Sequence, residues 1–139
     1  YNIKWYCIGD GHEKDNYKQI IKNLNIENDY ILLGPKLNPY PFMKQCDIYV
    51  QPSRHEGYCI TLGEARCFDN PIVTTNFTGA NEQIKNEITG LVCNISEDGI
   101  YNAIKRLLDE KDLFNRIKNN LNTEVIDSTN EIRKLYKLM

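Results

Sequence analysis

Residues 47–66 read DIYVQPSRHEGYCITLGEAR. The first seven form a strand-like apolar run that ends at Pro52 and Ser53, and a helix-compatible pattern resumes near Ile60 and continues to Phe68. Between them Gly57 offers a bend that residues with a Cβ resist. A strand that hands over to a helix is the repeating step of parallel α/β sheets, and ligands of such sheets bind beyond the carboxyl ends of the strands. On this reading Glu56 belongs to the loop and Glu64 to the second helical turn. Were the stretch one continuous helix, the two carboxylates would sit about 80° apart around its axis, an arrangement with no chemical meaning of its own.

The rest of the chain repeats the same alternation. Strand-like runs are expected at residues 3–9, 29–34, 47–53, 71–75 and 90–94, several of them nearly all apolar, as suits strands buried on both faces. His12 to Leu24 reads as a helix with Tyr17, Ile20, Ile21 and Leu24 on one side. Pro39 and Pro41 leave room for only a short turn of helix up to Gln45. Ser96 is placed to cap a helix over 97–109, with Ile100, Ile104, Leu107 and Leu108 periodic behind it. Helices over 113–121 and 130–138 follow, joined through the polar stretch 122–129. No repeat, low-complexity run or internal linker interrupts the series. The fold class is α/β: a Rossmann-like, doubly wound parallel sheet with a C-terminal helical tail, taken as one domain over residues 1–139.

Composition excludes several alternatives. With 139 residues, 41% hydrophobic and 26% charged, the chain has the balance of a globular domain rather than a disordered one. A formal net charge of −2, with basic residues scattered, leaves no footprint for nucleic acid. No run approaches the length of a membrane span, and YNIKWYCIGDG lacks the regions of a signal peptide. Five cysteines without a CxxC pair and two histidines offer no metal set, and a reduced, cytosolic setting is the simple reading. Cys7 and Cys93 are expected in the core as small hydrophobes. The chain opens directly in a strand-like run, as an excised domain would.

The strand-to-helix step has a chemical use. The backbone N–H groups of roughly residues 59–62 would face out of the helix start and, with the helix dipole, favour an anion such as phosphate; Thr61 adds a hydroxyl. Carboxylates repel phosphate but accept pairs of hydrogen bonds from the hydroxyls of neutral sugars. One glutamate per sugar with a diphosphate between them describes a nucleotide-sugar site. The same two glutamates also fit a helix start with no ligand, since an acidic first turn stabilises a helix by itself. Spacing alone leaves both readings open.

The order of motifs then resembles a known family. Pro52, Ser53, Glu56, Gly57, Tyr58, Glu64 and Ala65 match the pattern P-S-x-x-E-G-[FY]-x-x-x-x-x-E-A; Pro71, Ile72 and Val73 match x-P-[IV]-V; and Gly79, Glu82, Thr89, Gly90, Leu91 and Val92 match G-x-x-E followed by T-G-L-[LV]. The upstream IGDGHE and LLGPK runs fit as well. The chain is similar, over nearly its whole length, to the C-terminal half of retaining glycosyltransferases of the two-domain GT-B type, most closely glycosyltransferase family 4. The resemblance implies a hexosyltransferase-type enzyme whose donor is a nucleotide-diphosphate sugar, with no further cofactor and no metal. It implies that Glu56 contacts the transferred sugar near the reacting centre, that backbone groups of Gly57, Tyr58, Cys59 and Ile60 bind that sugar's hydroxyls, and that N–H groups around Thr61 and Leu62 take the diphosphate. Glu64 would hold the ribose, and Gly34, Pro35 and Lys36 would border the base. A saccharide or lipid-linked acceptor would be bound by an N-terminal domain that these residues do not include, so this part alone would bind donor weakly and transfer nothing. Polysaccharide, capsule or glycolipid synthesis in a bacterium is the implied setting, in the cytoplasm with the parent protein associating peripherally with the inner face of the membrane.

Departures and rivals stand beside this. Cys59 occupies a position often held by glycine, either as a tolerated small side chain or as one that brings the backbone closer to the sugar. Asp69 replaces a glycine at a helix end, where Asp takes the left-handed conformation less easily. Arg66 replaces an apolar residue and is expected to face solvent, with a place near the phosphates as the other option. His55 reads as a loop residue. A dinucleotide-binding reading of IGDGHEK fails because the third fingerprint glycine falls on Lys14. A non-catalytic interaction or regulatory module of the same fold, or a nucleotide-sugar 2-epimerase, is the remaining alternative.

Overall fold

The computed structural model describes residues 1–123; the helix expected over 130–138 and most of the 122–129 connection lie outside the described residues. Every strand expected from sequence is present, β2 and β4 shorter at the start and the others at both ends: β1 (Trp5–Ile8), β2 (Tyr30–Gly34), β3 (Tyr49–Gln51), β4 (Ile72–Thr75) and β5 (Leu91–Cys93). They alternate with α1 (Lys14–Asn23), α2 (Tyr40–Gln45), α3 (Ile60–Arg66), the single turn α4 (Ala80–Gln83), α5 (Glu97–Asp109) and α6 (Lys111–Thr123). The strands pair in parallel as two groups, β1 with β2 and β3-β4-β5. These groups belong to two compact units, Tyr1–Phe42 and the chain from Met43 onward.

In the first unit β1 and β2 run side by side, and Trp5 stacks on its register partner Tyr30 with ring centroids 5.9 Å apart and planes 7° from parallel. The α1 helix closes with Asn25 in the left-handed region (φ 55°). Its N–H reaches Lys22 O at 3.1 Å while Ile26 N–H reaches Ile21 O at 3.1 Å, the paired bonds of a Schellman stop. Of the apolar side expected for α1, Ile21 alone is buried; Tyr17, Ile20 and Leu24 are exposed. The period of the pattern made the helix, but three of its four apolar side chains find no cover in this unit.

The second unit is built around β4, buried at all four positions. Because strand side chains alternate between faces, Ile72 and Val73 point to opposite sides and seed two cores. Ile72 packs with Leu62 and Ala65 of α3 and with Phe77, Ala80 and Ile84 around α4. Val73 packs with Leu91, with Ala103 and Leu107 of α5, and with Leu113, Ile117 and Leu121 of α6. Helices therefore cover both faces of this sheet, which is what the nearly continuous apolar runs required. Ser96 caps α5 as expected, its hydroxyl accepting from Gly99 N–H at 3.0 Å. Buried Asn70 donates to Met43 O at 2.9 Å and Lys44 O at 3.3 Å, satisfying the last carbonyls of α2 just before β4 begins.

The cysteines are distributed differently from expectation. All five are free thiols; Cys59 is the fully buried one, whereas Cys7 and Cys93 are only part-buried. Cys93 packs at the margin of the Val73 core, whereas Cys59, at the junction of the loop and α3, lies within the Ile72 core.

Candidate functional site

The loop from Pro52 to Cys59 connects the C-terminal end of β3 to α3, and Glu56 and Glu64 fall where the sequence placed them, in the loop and on the helix. What fixes the loop comes largely from its neighbours. Thr74 and Thr75, almost completely buried on the central strand, turn their hydroxyls toward the end of β3. Thr74 Oγ1 donates to Gln51 O at 3.3 Å, and Thr75 Oγ1 makes a short hydrogen bond to Ser53 O. Thus side chains of β4 pin the strand end, Thr74 at the last ladder pair, Gln51 with Thr74, and Thr75 beyond it.

A second set of bonds runs through side chains. Tyr49 Oη donates to Gln51 Oε1 at 2.7 Å, Gln51 Nε2 donates to Ser53 Oγ at 2.8 Å, and Ser53 Oγ donates to Glu56 Oε1 at 2.9 Å. Thr61 Oγ1, in the first turn of α3, donates to the same Gln51 oxygen at 3.3 Å. Burial pushes the Tyr49 hydroxyl above its ordinary value, which keeps it a donor. Glu56 is half-buried and accepts from Ser53, so its carboxylate has a defined direction in the loop.

The start of α3 needs one correction. The N–H groups of residues 59–62 were expected to face outward together, but Leu62 N–H is already bonded to Cys59 O at 3.2 Å and Gly63 N–H shares that acceptor at 3.3 Å. Cys59 is occupied too: buried Gln83 of α4 brackets its peptide, donating to Cys59 O at 3.1 Å and accepting from Cys59 N–H at 3.3 Å in the orientation that satisfies both ends of the amide. This leaves the N–H groups of Ile60 and Thr61 at the helix mouth, where helix geometry provides no acceptor. The Cys59 side chain turns inward to the core, 4% exposed, with Sγ 3.3 Å from Thr61 Oγ1. Of the two options for Cys59, the structure shows the small core side chain. Tyr58 and Ile60 are 72% and 69% exposed and line the outside of the loop.

The remaining candidates differ in setting. Glu64 is half-buried on α3 between buried Leu62 and Ala65. Arg66 is not the solvent-facing residue expected: it is part-buried, with Nε shielded. His55 is exposed in the loop. Gly34, Pro35 and Lys36 belong to the first unit. There Gly34 ends β2 with φ 70°, a conformation that suits glycine, and Lys36 Nζ lies 5.9 Å from the centre of the Phe42 ring.

Gln51, Gln83 and Thr75 were not among the residues singled out by sequence. The signal available for the first was its alternation with Tyr49 and Ser53, which puts all three on one side of an extended segment. For Gln83 and Thr75 the partners are distant in sequence, and no local pattern announces them.

Parallel strands, with helices on both faces of the β3-β4-β5 sheet, are the architecture of a GT-B glycosyltransferase domain, and comparison with known proteins agrees with that fold. Residues 1–123 match the family described as glycosyl transferases group 1, and the chain belongs to that family. It is 30% identical over 124 residues to the N-acetylgalactosamine-N,N'-diacetylbacillosaminyl-diphospho-undecaprenol 4-alpha-N-acetylgalactosaminyltransferase of Campylobacter jejuni, covering 88% of this chain and 34% of that protein. It is 27% identical over 133 residues to the UDP-Gal:alpha-D-GlcNAc-diphosphoundecaprenol alpha-1,3-galactosyltransferase of Escherichia coli, covering 94% of this chain and 34% of that one. The chain therefore spans about a third of the length of these curated relatives, 34% in each case. Its fold is that of HepE from Anabaena, solved in complex with UDP, with a TM-score of 0.82 at 21% identity, covering 99% of this chain and 41% of that one. No helix among the described residues is long and apolar enough to cross a membrane.

Proposed function

We propose that the chain is the donor-binding domain, the C-terminal half, of a retaining glycosyltransferase of family 4 that moves a hexose-type sugar from a nucleotide-diphosphate donor. The observation that carries this reading is the hydrogen bond from Ser53 to Glu56, which holds a carboxylate in the loop between a strand end and a helix start. Glu56 receives hydroxyls of the transferred sugar near its anomeric carbon, and the backbone of Gly57, Tyr58, Cys59 and Ile60 shapes that subsite. N–H groups of Ile60 and Thr61, with the Thr61 hydroxyl, meet the diphosphate; Leu62 contributes through packing rather than through its committed N–H. Glu64 takes the ribose hydroxyls through its carboxylate oxygens. The chemistry asked of this half is electrostatic: donors aimed at the leaving diphosphate stabilise the charge that develops as the bond to the sugar breaks.

The UDP and UDP-glucose complexes of HepE support a nucleotide-sugar donor. Relatives named for undecaprenol-linked sugars and for capsular polysaccharide synthesis support an acceptor of the saccharide or lipid-linked class. We assign acceptor binding to the rest of the parent protein and the activity to the cytoplasm, at the inner face of the membrane.

The test is a titration of this chain with UDP, GDP and ADP followed by amide chemical shifts, repeated with Glu64→Ala. Shifts over residues 57–64 with one nucleotide are expected, with affinity about tenfold to a hundredfold weaker in the variant. No shift at millimolar concentration, repeated on the full-length parent, would overturn the donor reading.

A further inference from the structure

We propose that Gln51 is a positioning residue: it aims the Glu56 carboxylate through Ser53 and couples that aim to Thr61 at the mouth of α3. The inference rests on the donor-site reading above and adds to it a residue outside the family pattern.

The argument starts from strand geometry. Tyr49, Gln51 and Ser53 alternate along an extended segment, so their side chains rise from the same face. Their spacing is close enough for a string of bonds, Tyr49 to Gln51 at 2.7 Å, Gln51 to Ser53 at 2.8 Å and Ser53 to Glu56 at 2.9 Å. The direction of that string is dictated by chemistry. Glu56 as a carboxylate is acceptor-only, so the proton between it and Ser53 belongs to Ser53. A hydroxyl that spends its proton on Glu56 is left to accept from Gln51, which places the NH₂ of the Gln51 amide toward Ser53 and its oxygen toward Tyr49 and Thr61. Both of those are hydroxyls able to donate, and Tyr49, whose burial keeps it protonated, does so. Aligned bonds of this kind polarise one another, so the string is stiffer than its separate links. Its base is rigid as well, because Thr74 and Thr75 hold the carbonyls of Gln51 and Ser53. The amide is the piece that neither a carboxylate nor an apolar side chain replaces: it accepts at one end and donates at the other.

Two kinds of experiment test this. On the chain itself, NMR relaxation of the Glu56 side-chain methylenes reads the aim of the carboxylate without any donor. Gln51→Leu and Ser53→Ala are expected to loosen Glu56 while the amide spectrum of the core stays in place. Ser53→Thr, which keeps the hydroxyl, retains the order. Gln51→Glu, which matches the volume and still accepts from Tyr49 and Thr61 but draws the Ser53 proton away from Glu56, is expected to loosen it as Gln51→Leu does. On the full-length parent, release of UDP from UDP-glucose, UDP-galactose and UDP-N-acetylglucosamine gives the chemical readout. Gln51→Leu and Ser53→Ala should each lower kcat about tenfold, the weight of one well-placed hydrogen bond, with the donor KM within about twofold. The double variant should be no slower than either single one, since the links act in series.

Unchanged Glu56 order in Gln51→Leu and Ser53→Ala would overturn the proposal, as would Gln51→Glu behaving like the native chain or additive losses in the double variant. Loosening of Glu56 in a parent that neither shifts with a nucleotide nor releases UDP would uphold the positioning link and sink the donor reading instead.

Discussion

Gly79 stands directly against Gly57: a Cβ on Gly79 would lie 3.1 Å from the Gly57 carbonyl oxygen, and the Gly79 backbone has φ 87°. The turn that enters α4 is thus moulded to the loop that carries Glu56. Gly79→Ala combines left-handed strain with a contact that must give, and should destabilise the chain by about 1–2 kcal/mol. Urea unfolding would register this as a lower midpoint at unchanged slope, with the largest amide shifts at residues 56–59.

Asp69 behaves in the opposite way. It holds φ 58° at the turn after α3, a conformation an L residue reaches only at a cost. Asp69→Gly removes that cost, partly offset by the greater freedom of glycine in the unfolded chain, and should stabilise by about 0.5–1 kcal/mol. A thermal melt should rise by a few degrees; an unchanged or lower midpoint would show that the Asp69 side chain contributes more than its backbone strain takes away.

Thr75→Val keeps the shape of a buried side chain while removing its bond to Ser53 O. The Ser53 carbonyl loses its partner, at about 1–2 kcal/mol. Hydrogen exchange should quicken over residues 53–56 more than in β4 itself. Uniform quickening across the second unit would mean that Thr75 matters to the sheet and not to the loop.

Alkaline pH should weaken the fold. Burial raises the Cys46 and Cys93 thiols above 9.0 and the Tyr49 hydroxyl above 10.0, and it pushes Tyr30 up to about 12. In each case the folded chain keeps a proton that the unfolded chain releases at lower pH. Their contribution is therefore fully present below the ordinary thiol value of 9.0 and is lost as pH climbs toward about 12. Unfolding midpoints measured from pH 8 upward should fall through about that window; a flat profile would contradict the assigned burial.

The parts of the fold written in local pattern were legible in the sequence. The five strands, the Ser96 cap and the helices over α5 and α6 follow from runs and periods a few residues long. The placement of Glu56 in a loop and Glu64 on a helix was legible because a strand-to-helix step is itself local. Which partners hold that step was not legible, since Thr75 to Ser53 spans 22 residues and the Gln83 bracket on Cys59 crosses from another helix. Helix α1 shows the limit from the other side: its period names Tyr17, Ile20 and Leu24 as one side, but period says nothing about what lies opposite, and the three are exposed. The same holds for Leu62 N–H, whose commitment to Cys59 O depends on how tightly the first turn winds. Strand pairing in two groups is likewise a property of neighbours in space, to which the one-dimensional alternation is blind.

The Trp5–Tyr30 stack gives the molecule a built-in optical label. Trp5 is the single tryptophan of the chain and lies in the unit that ends at Phe42, while the held carboxylate lies in the other. Indole emission therefore reports on β1 against β2, whereas far-ultraviolet dichroism is weighted toward the second unit, which holds α3, α4, α5 and α6 among the described helices. Superimposable curves from the two signals would mark one cooperative transition, and separated curves would mark two. A nucleotide that raises only the dichroism curve would locate its binding energy in the Met43 unit without any labelling of the chain.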